Sequence, residues 1–295
     1  MRPPYPVDIV PLLPDFLGRR RAKLTFALRR AEELGLDRPS FTWAINLGYR
    51  GERGGGPEPG DLMSAYGTIP GRWLPMAAAA RGAGLAEERG GRWYLTGKGR
   101  ELAREMRDAA RAHYATLAPI PKDELALLAR LLDRAFESGV KASEPRERMH
   151  TPFAIAYRAG DDPPDGSFAQ LDAAIYGLWQ VRDDCHFAAW RASRLGGPEL
   201  EVLTRVWRRE AEDPTALAEL LPHQRAEDVD ASLARLRERG LIAPGVLRAT
   251  DEGAETRQRI EDETDRLFFT PWPDEVGAKG AWIAERLGAV NAALS

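Results

Sequence analysis

The sequence predicts a mainly α-helical protein with small β-hairpin wings, and three observations carry that expectation. Two distant stretches share one layout: an amphipathic helix, a Gly-Leu stop, a short β segment with a glycine turn, then Thr-x-x-Gly opening a charged helix. Their core-facing residues share one spacing, Trp73, Ala77, Ala80 and Leu85 in the first and Val229, Leu233, Leu236 and Leu241 in the second. That spacing is a helical stripe followed by the residue after a glycine C-cap. Prolines 39, 59, 198 and 214 precede the two stretches at positions suited to a helix start, where a missing N–H costs nothing. Helix, Gly-Leu, hairpin, Thr-x-x-Gly, helix is the layout of a winged helix-turn-helix, so the chain reads as two such modules joined by a helical linker.

Four parts are expected: an N-terminal arm with a basic helix (1–37), a first winged helix-turn-helix (38–118), a helical linker (119–194), and a second winged helix-turn-helix with a C-terminal helix (195–295). Arg19, Arg20, Arg21, Lys23, Arg29 and Arg30 fall on the basic helix. Helices over 39–49 and 59–66 flank the glycine run at 51–57. The first wing is centred on Gly90-Gly91, and Thr96 is placed to cap the following helix. In the linker, Leu125, Leu128, Leu131, Leu132 and Phe136 form a helical stripe over 122–138, and a long helix runs from about Phe168 to Ser193. Helices over 198–209 and 214–221 lead into the second module, whose wing spans 244–250.

Composition bounds the function. Apolar residues make 43% of the 295, charged residues 29%, and the net charge is −3, a globular profile. No apolar run approaches the ~18 residues of a membrane span, and the start has no apolar signal segment, so a cytoplasmic protein is expected. One cysteine, Cys185, rules out an internal disulfide framework and a cysteine-rich zinc module. The near-neutral total hides a division: residues 1–118 hold 19 Lys+Arg against 13 Asp+Glu, a charge of +6, and residues 119–295 hold 23 against 32, a charge of −9. Only the first half suits a polyanion.

The stretch Gly91-Arg-Trp-Tyr-Leu-Thr-Gly-Lys-Gly-Arg-Glu-Leu, continuing to Tyr114-Ala-Thr-Leu-Ala-Pro-Ile-Pro, resembles the wing and following helices of MarR-type winged-helix proteins, over about 38–136. Residues 150–290 resemble a second group, bacterial and most often actinobacterial, that carries a C-terminal winged helix. The strings behind that resemblance are Arg182-Asp-Asp-Cys-His-Phe and Asp262-Glu-Thr-Asp-Arg-Leu followed by Thr270-Pro-Trp. Gln180-Val181 stand where that group usually has Glu-His. The MarR resemblance implies double-stranded DNA as partner and a homodimer.

Candidate DNA-binding residues are Arg19, Arg20, Arg21, Lys23, Arg72, Arg81, Arg89, Arg92, Lys98 and Arg100, a set able to neutralise several phosphates. The helix expected to enter the groove is alanine-rich at 77–80, so base contacts would fall to Arg72, Arg81 or the wing. The equivalent helix of the second module opens Glu227-Asp228-Val229-Asp230, which suits the helix dipole and would repel phosphate. Trp179, Asp183, His186 and Trp190 recur every three or four residues on the long helix and are candidates for a small aromatic effector; the competing reading is a helix packed between the two modules. Cys185 and His186 point about 100° apart on a helix and make no nucleophile–base pair. The four histidines lack metal-ligand spacing, so neither an enzyme nor a cofactor is expected. The expected function is a DNA-binding transcriptional regulator whose acidic second half serves assembly or effector sensing. The alternative is a small-molecule-binding or interaction protein that keeps the architecture without binding DNA.

Overall fold

The computed structural model describes residues 5–56, 66 and 70–295. It is 68% helical, and among the described residues the one β-ladder is a two-stranded antiparallel hairpin. A short 3₁₀ turn (Val7–Ile9) precedes α1 (Leu12–Arg19) and α2 (Thr25–Glu33). Asp37 accepts a hydrogen bond from the Ser40 N–H at 2.7 Å and caps α3 (Arg38–Leu47), with Pro39 in the first turn. A 3₁₀ turn (Gly48–Arg53) follows α3. The helix expected over 59–66 lies outside the described residues, apart from Tyr66. Next come α4 (Pro70–Gly82), β1 (Ala86–Arg89), β2 (Arg92–Leu95) and α5 (Gly97–Ala115). Ala86 pairs with Leu95 and Arg89 with Arg92 across the hairpin, and Gly55 adds a bridge to Trp93 on the other side of β2.

Three helices follow. In α6 (Lys122–Lys141), Leu125, Leu128, Leu131, Leu132 and Phe136 are all buried, as their spacing requires. α7 (Thr151–Asp161) is short, and α8 (Phe168–Arg191) is a 24-residue helix capped by Ser167 on the Gln170 N–H at 3.1 Å. α8 is buried nearly all round, which marks it as a central helix and not a surface one.

The second unit is built from α9 (Gly197–Trp207), α10 (Pro214–Glu219), α11 (Ala226–Glu238) and α12 (Asp251–Phe269). The second expected hairpin is reduced to one bridge, Ile242↔Ala249. The intervening six residues include Pro244, which has no N–H for a ladder. The corner geometry nevertheless matches the first unit closely. Gly84 and Gly240 both take positive φ, 73° and 71°, a conformation L side chains resist. The Thr96 hydroxyl donates to the Gly84 carbonyl at 2.7 Å and accepts from the Gly99 N–H at 3.1 Å; Thr250 does the same to Gly240 and from Gly253 at 2.6 and 3.1 Å. A Cβ on Gly99 would collide with the Leu85 carbonyl, and one on Gly253 with the Leu241 carbonyl. Both shared core stripes are buried throughout. The chain ends in α13 (Asp274–Gly277) and α14 (Gly280–Ala293).

Buried apolar residues form two clusters. The larger takes α1 to α8 as far as Cys185, together with Leu267–Leu294; the smaller takes Phe187–Ile242 and Ile260. α8 and α12 therefore contribute to both. α14 returns to α1, where the Asn291 side-chain amide donates to the Leu12 carbonyl at 3.0 Å. Each fully buried Leu or Phe contributes roughly 1.5–3 kcal/mol.

Candidate nucleic-acid interface and buried polar clasp

The basic residues near the N-terminus do not share one helix. Arg19 ends α1, and Arg20, Arg21 and Lys23 lie in the turn before α2. Arg20 and Arg21 turn inward onto Asp172 of α8, whose side chain is 1% exposed. Arg21 also donates to the hydroxyls of Tyr114 and Tyr157 at 2.6 and 2.7 Å. The two guanidinium groups share one buried carboxylate, hold the end of α1 to the core and are turned to interior partners. Arg19 pairs with Asp15 at 2.6 Å, and Lys23 donates to the Ser295 carbonyl at 2.9 Å.

The cations around the first wing face outward. The Arg89 guanidinium lies 4.2 Å from the centre of the Tyr94 ring and 3.5 Å from Glu87. Arg81 sits 5.8 Å from the Trp93 ring. Lys98 donates to the Ala83 carbonyl at 2.9 Å and Arg100 to the Leu95 carbonyl at 2.7 Å, contacts that orient the charged groups through neutral acceptors. Arg92 reaches the Gly54 carbonyl at 3.4 Å. The side chain of Arg72 lies outside the described residues. Two exposed carboxylates, Glu87 and Glu88, interrupt the positive surface on β1. α4 exposes Leu74, Pro75 and Ala78 beside Arg81, and the backbone of His223 packs directly against Gly71 near its N-terminus.

The two tryptophans of the candidate effector set on α8 belong to different apolar clusters. Trp179 packs against the larger core and Trp190 lies in the smaller one, edge-on to Phe187 at 4.9 Å. His186 is buried between them, with Nδ1 3.2 Å from the Thr264 hydroxyl and its ring edge-on to Tyr66. Burial pushes its pKa down to about 3, with Arg257 and Arg182 adding to the effect and Glu261 opposing it. Asp183 is also buried.

The α8 face beside this set carries an ionic clasp to α12. Arg182 Nη2 lies 3.1 Å from Glu261 and 3.0 Å from Asp265. Glu261 also pairs with Arg257, which is 1% exposed, donates to the Thr204 hydroxyl at 2.9 Å and lies over the Trp207 ring. Burial alone would raise the Glu261 pKa, but Arg257 and Arg182 overcome it and bring it to about 2. The strings Arg182-x-x-x-His186 and Thr264-Asp265, far apart in sequence, thus meet across one helix pair, and Trp272 of the Thr-Pro-Trp string is buried against Phe268 and Phe269. Cys185 faces the core with its thiol pKa pushed up to about 12 by burial.

Two sets of residues are not apparent from local pattern. Asp184 gathers His150 and Thr151 from 34 and 33 residues away. Arg104 and Arg107 extend the face of α5 that Arg100 begins, a repeat visible at i, i+4, i+7 but hidden among the carboxylates of the same helix.

Two successive helices packed at a wing, followed by a threonine-capped helix, define a helix-turn-helix protein. Residues 90–295 match a helix-turn-helix family, and the chain belongs to that family. The matched stretch begins in the first wing and takes in the whole of the second unit. Membership suggests a DNA-binding regulator in general. Comparisons with curated proteins and with solved structures gave no match.

Proposed function

We propose that this chain is a transcriptional regulator of MarR-like type in which the first winged unit contacts double-stranded DNA. The observation that carries the reading is the set of outward-facing cations around the one β-hairpin, Arg81, Arg89, Lys98 and Arg100, within a helix-turn-helix family member. Such a set neutralises phosphates without reading bases, so affinity falls steeply with salt. The acidic second half serves assembly, as a homodimer, or effector sensing. A gel-shift titration with genomic fragments at about 50 and 200 mM salt tests the reading. The expected result is a shift at low salt that weakens strongly at high salt, and no shift at low salt refutes it.

One observation favours a second reading. The exposed face of α4 presents Leu74, Pro75 and Ala78, which offer no hydrogen bond to a base edge, and Gly71 abuts the second unit at His223. A protein-interaction module that keeps the architecture without DNA function accounts for that face, and the same titration separates the two.

A further inference from the structure

A cleft of about 440 Å³ lies between α3 and α5, behind the wing. Its floor is apolar: Ile45, Leu95 and Ala103 are buried there. Three arginines line it, Arg100, Arg104 and Arg107, which fall on one face of α5. Among the described residues, no carboxylate lines it.

That composition sets the cleft apart from other arginine clusters of the chain. Arg20 and Arg21 have Asp172, Arg158 has Asp133 and Glu137, and Arg182 and Arg257 share Glu261. Of the carboxylates on α5, Glu105 pairs with Arg30 of α2 at 3.3 Å. Among the described residues neither Arg104 nor Arg107 makes an ion pair, and Arg100 donates to the Leu95 carbonyl. Three like charges around one recess repel one another, and an anion placed among them removes that cost. Guanidinium groups suit phosphate because their planar fork can donate two parallel hydrogen bonds.

We infer that this cleft binds an amphipathic organic phosphate, its apolar body against Ile45, Leu95 and Ala103 and its phosphate among Arg100, Arg104 and Arg107. The volume lies within the roughly 300–1,000 Å³ of small-molecule pockets. A bare inorganic ion would leave the apolar floor wet, and a neutral ring would leave the arginines unmatched. The site also touches the wing: Leu95 ends β2, and its carbonyl holds Arg100. A ligand that engages Arg100 therefore bears on the base of the hairpin. The inference does not depend on DNA binding, since it is read without DNA.

The test is calorimetric titration of the full-length chain with 1-naphthyl phosphate, with 1-naphthol and inorganic phosphate as comparators. Saturable binding at least about tenfold tighter than either comparator is expected, a gap of about 1.4 kcal/mol. The double variant R104A/R107A is expected to weaken it by at least about tenfold. The single variant R104Q, at an exposed position, repeats the test with less risk to the fold, and circular dichroism checks that both variants are folded. Binding of naphthyl phosphate no tighter than naphthol, or unchanged in folded R104A/R107A and R104Q, overturns the assignment.

Discussion

Asp184 of α8 takes two hydrogen bonds from Thr151, one from the backbone N–H at 2.9 Å and one from the hydroxyl at 2.6 Å. Its other oxygen accepts from the backbone N–H groups of Met149 and His150 and meets His150 Nδ1 at 2.9 Å. One buried carboxylate thus satisfies the free donors at the start of α7, a task normally left to a local N-cap. Burial pushes the Asp184 pKa up, but the bonds from His150 and Thr151 prevail and hold it below the usual aspartate range. Replacing Asp184 with Ala strands these donors and should cost about 3–5 kcal/mol, read as a lower midpoint in urea unfolding. Asp184→Asn, which keeps one acceptor, should cost less.

His186 sets an acid limit on stability. Its folded pKa of about 3 lies below the unfolded value of 6.5, so between those values the unfolded chain binds the extra proton. Stability is full above about pH 6.5 and declines as pH falls toward 3, with a slope from this group of up to about 1.4 kcal/mol per pH unit. Comparing urea unfolding at several pH values between wild type and His186→Gln should show a flatter profile in the variant; identical slopes would exclude His186 as the source.

Arg20 and Arg89, both basic and both in the first half, should behave oppositely. Arg20→Ala uncovers the buried Asp172 carboxylate and should destabilise the fold by about 3–5 kcal/mol. Arg89→Ala should change stability by less than about 0.5 kcal/mol. It should lower DNA affinity similarly for all sequences and reduce the salt slope by about one. Thermal unfolding and gel shifts on the two variants separate these roles.

The matched threonine corners should have matched energetics. Thr96→Val and Thr250→Val each lose a helix cap, worth about 1 kcal/mol. The corners are distant, so the double variant should show the sum to within about 0.5 kcal/mol. Chemical denaturation of the three variants measures this.

Local pattern was enough to place most helices and both buried stripes, because a 3.6-residue period and a glycine stop are encoded within a dozen residues. Trp73, Ala77, Ala80 and Leu85 needed no partner to be recognised as core. The charged residues were less legible. Arg20 and Arg21 read as a phosphate surface until Asp172, about 150 residues away, is seen to receive them. Asp183 and His186 share a helical face, but the contacts of His186 with Thr264 and Tyr66 come from residues far away in sequence. The second wing failed to form a ladder for a reason present in the sequence, Pro244 within a six-residue loop. A charge reveals its role only with its counter-charge, and counter-charges are set by tertiary contact.

α8 runs through both apolar clusters, giving Leu171, Ile175 and Leu178 to one and Phe187, Ala189 and Trp190 to the other. A rod embedded at both ends transmits torque. Turning the second unit about this axis would drag side chains at the opposite end out of their sockets, since a close-packed interior resists such slippage. The two units therefore share one close-packed shaft, and no loop interrupts α8 between its two sockets.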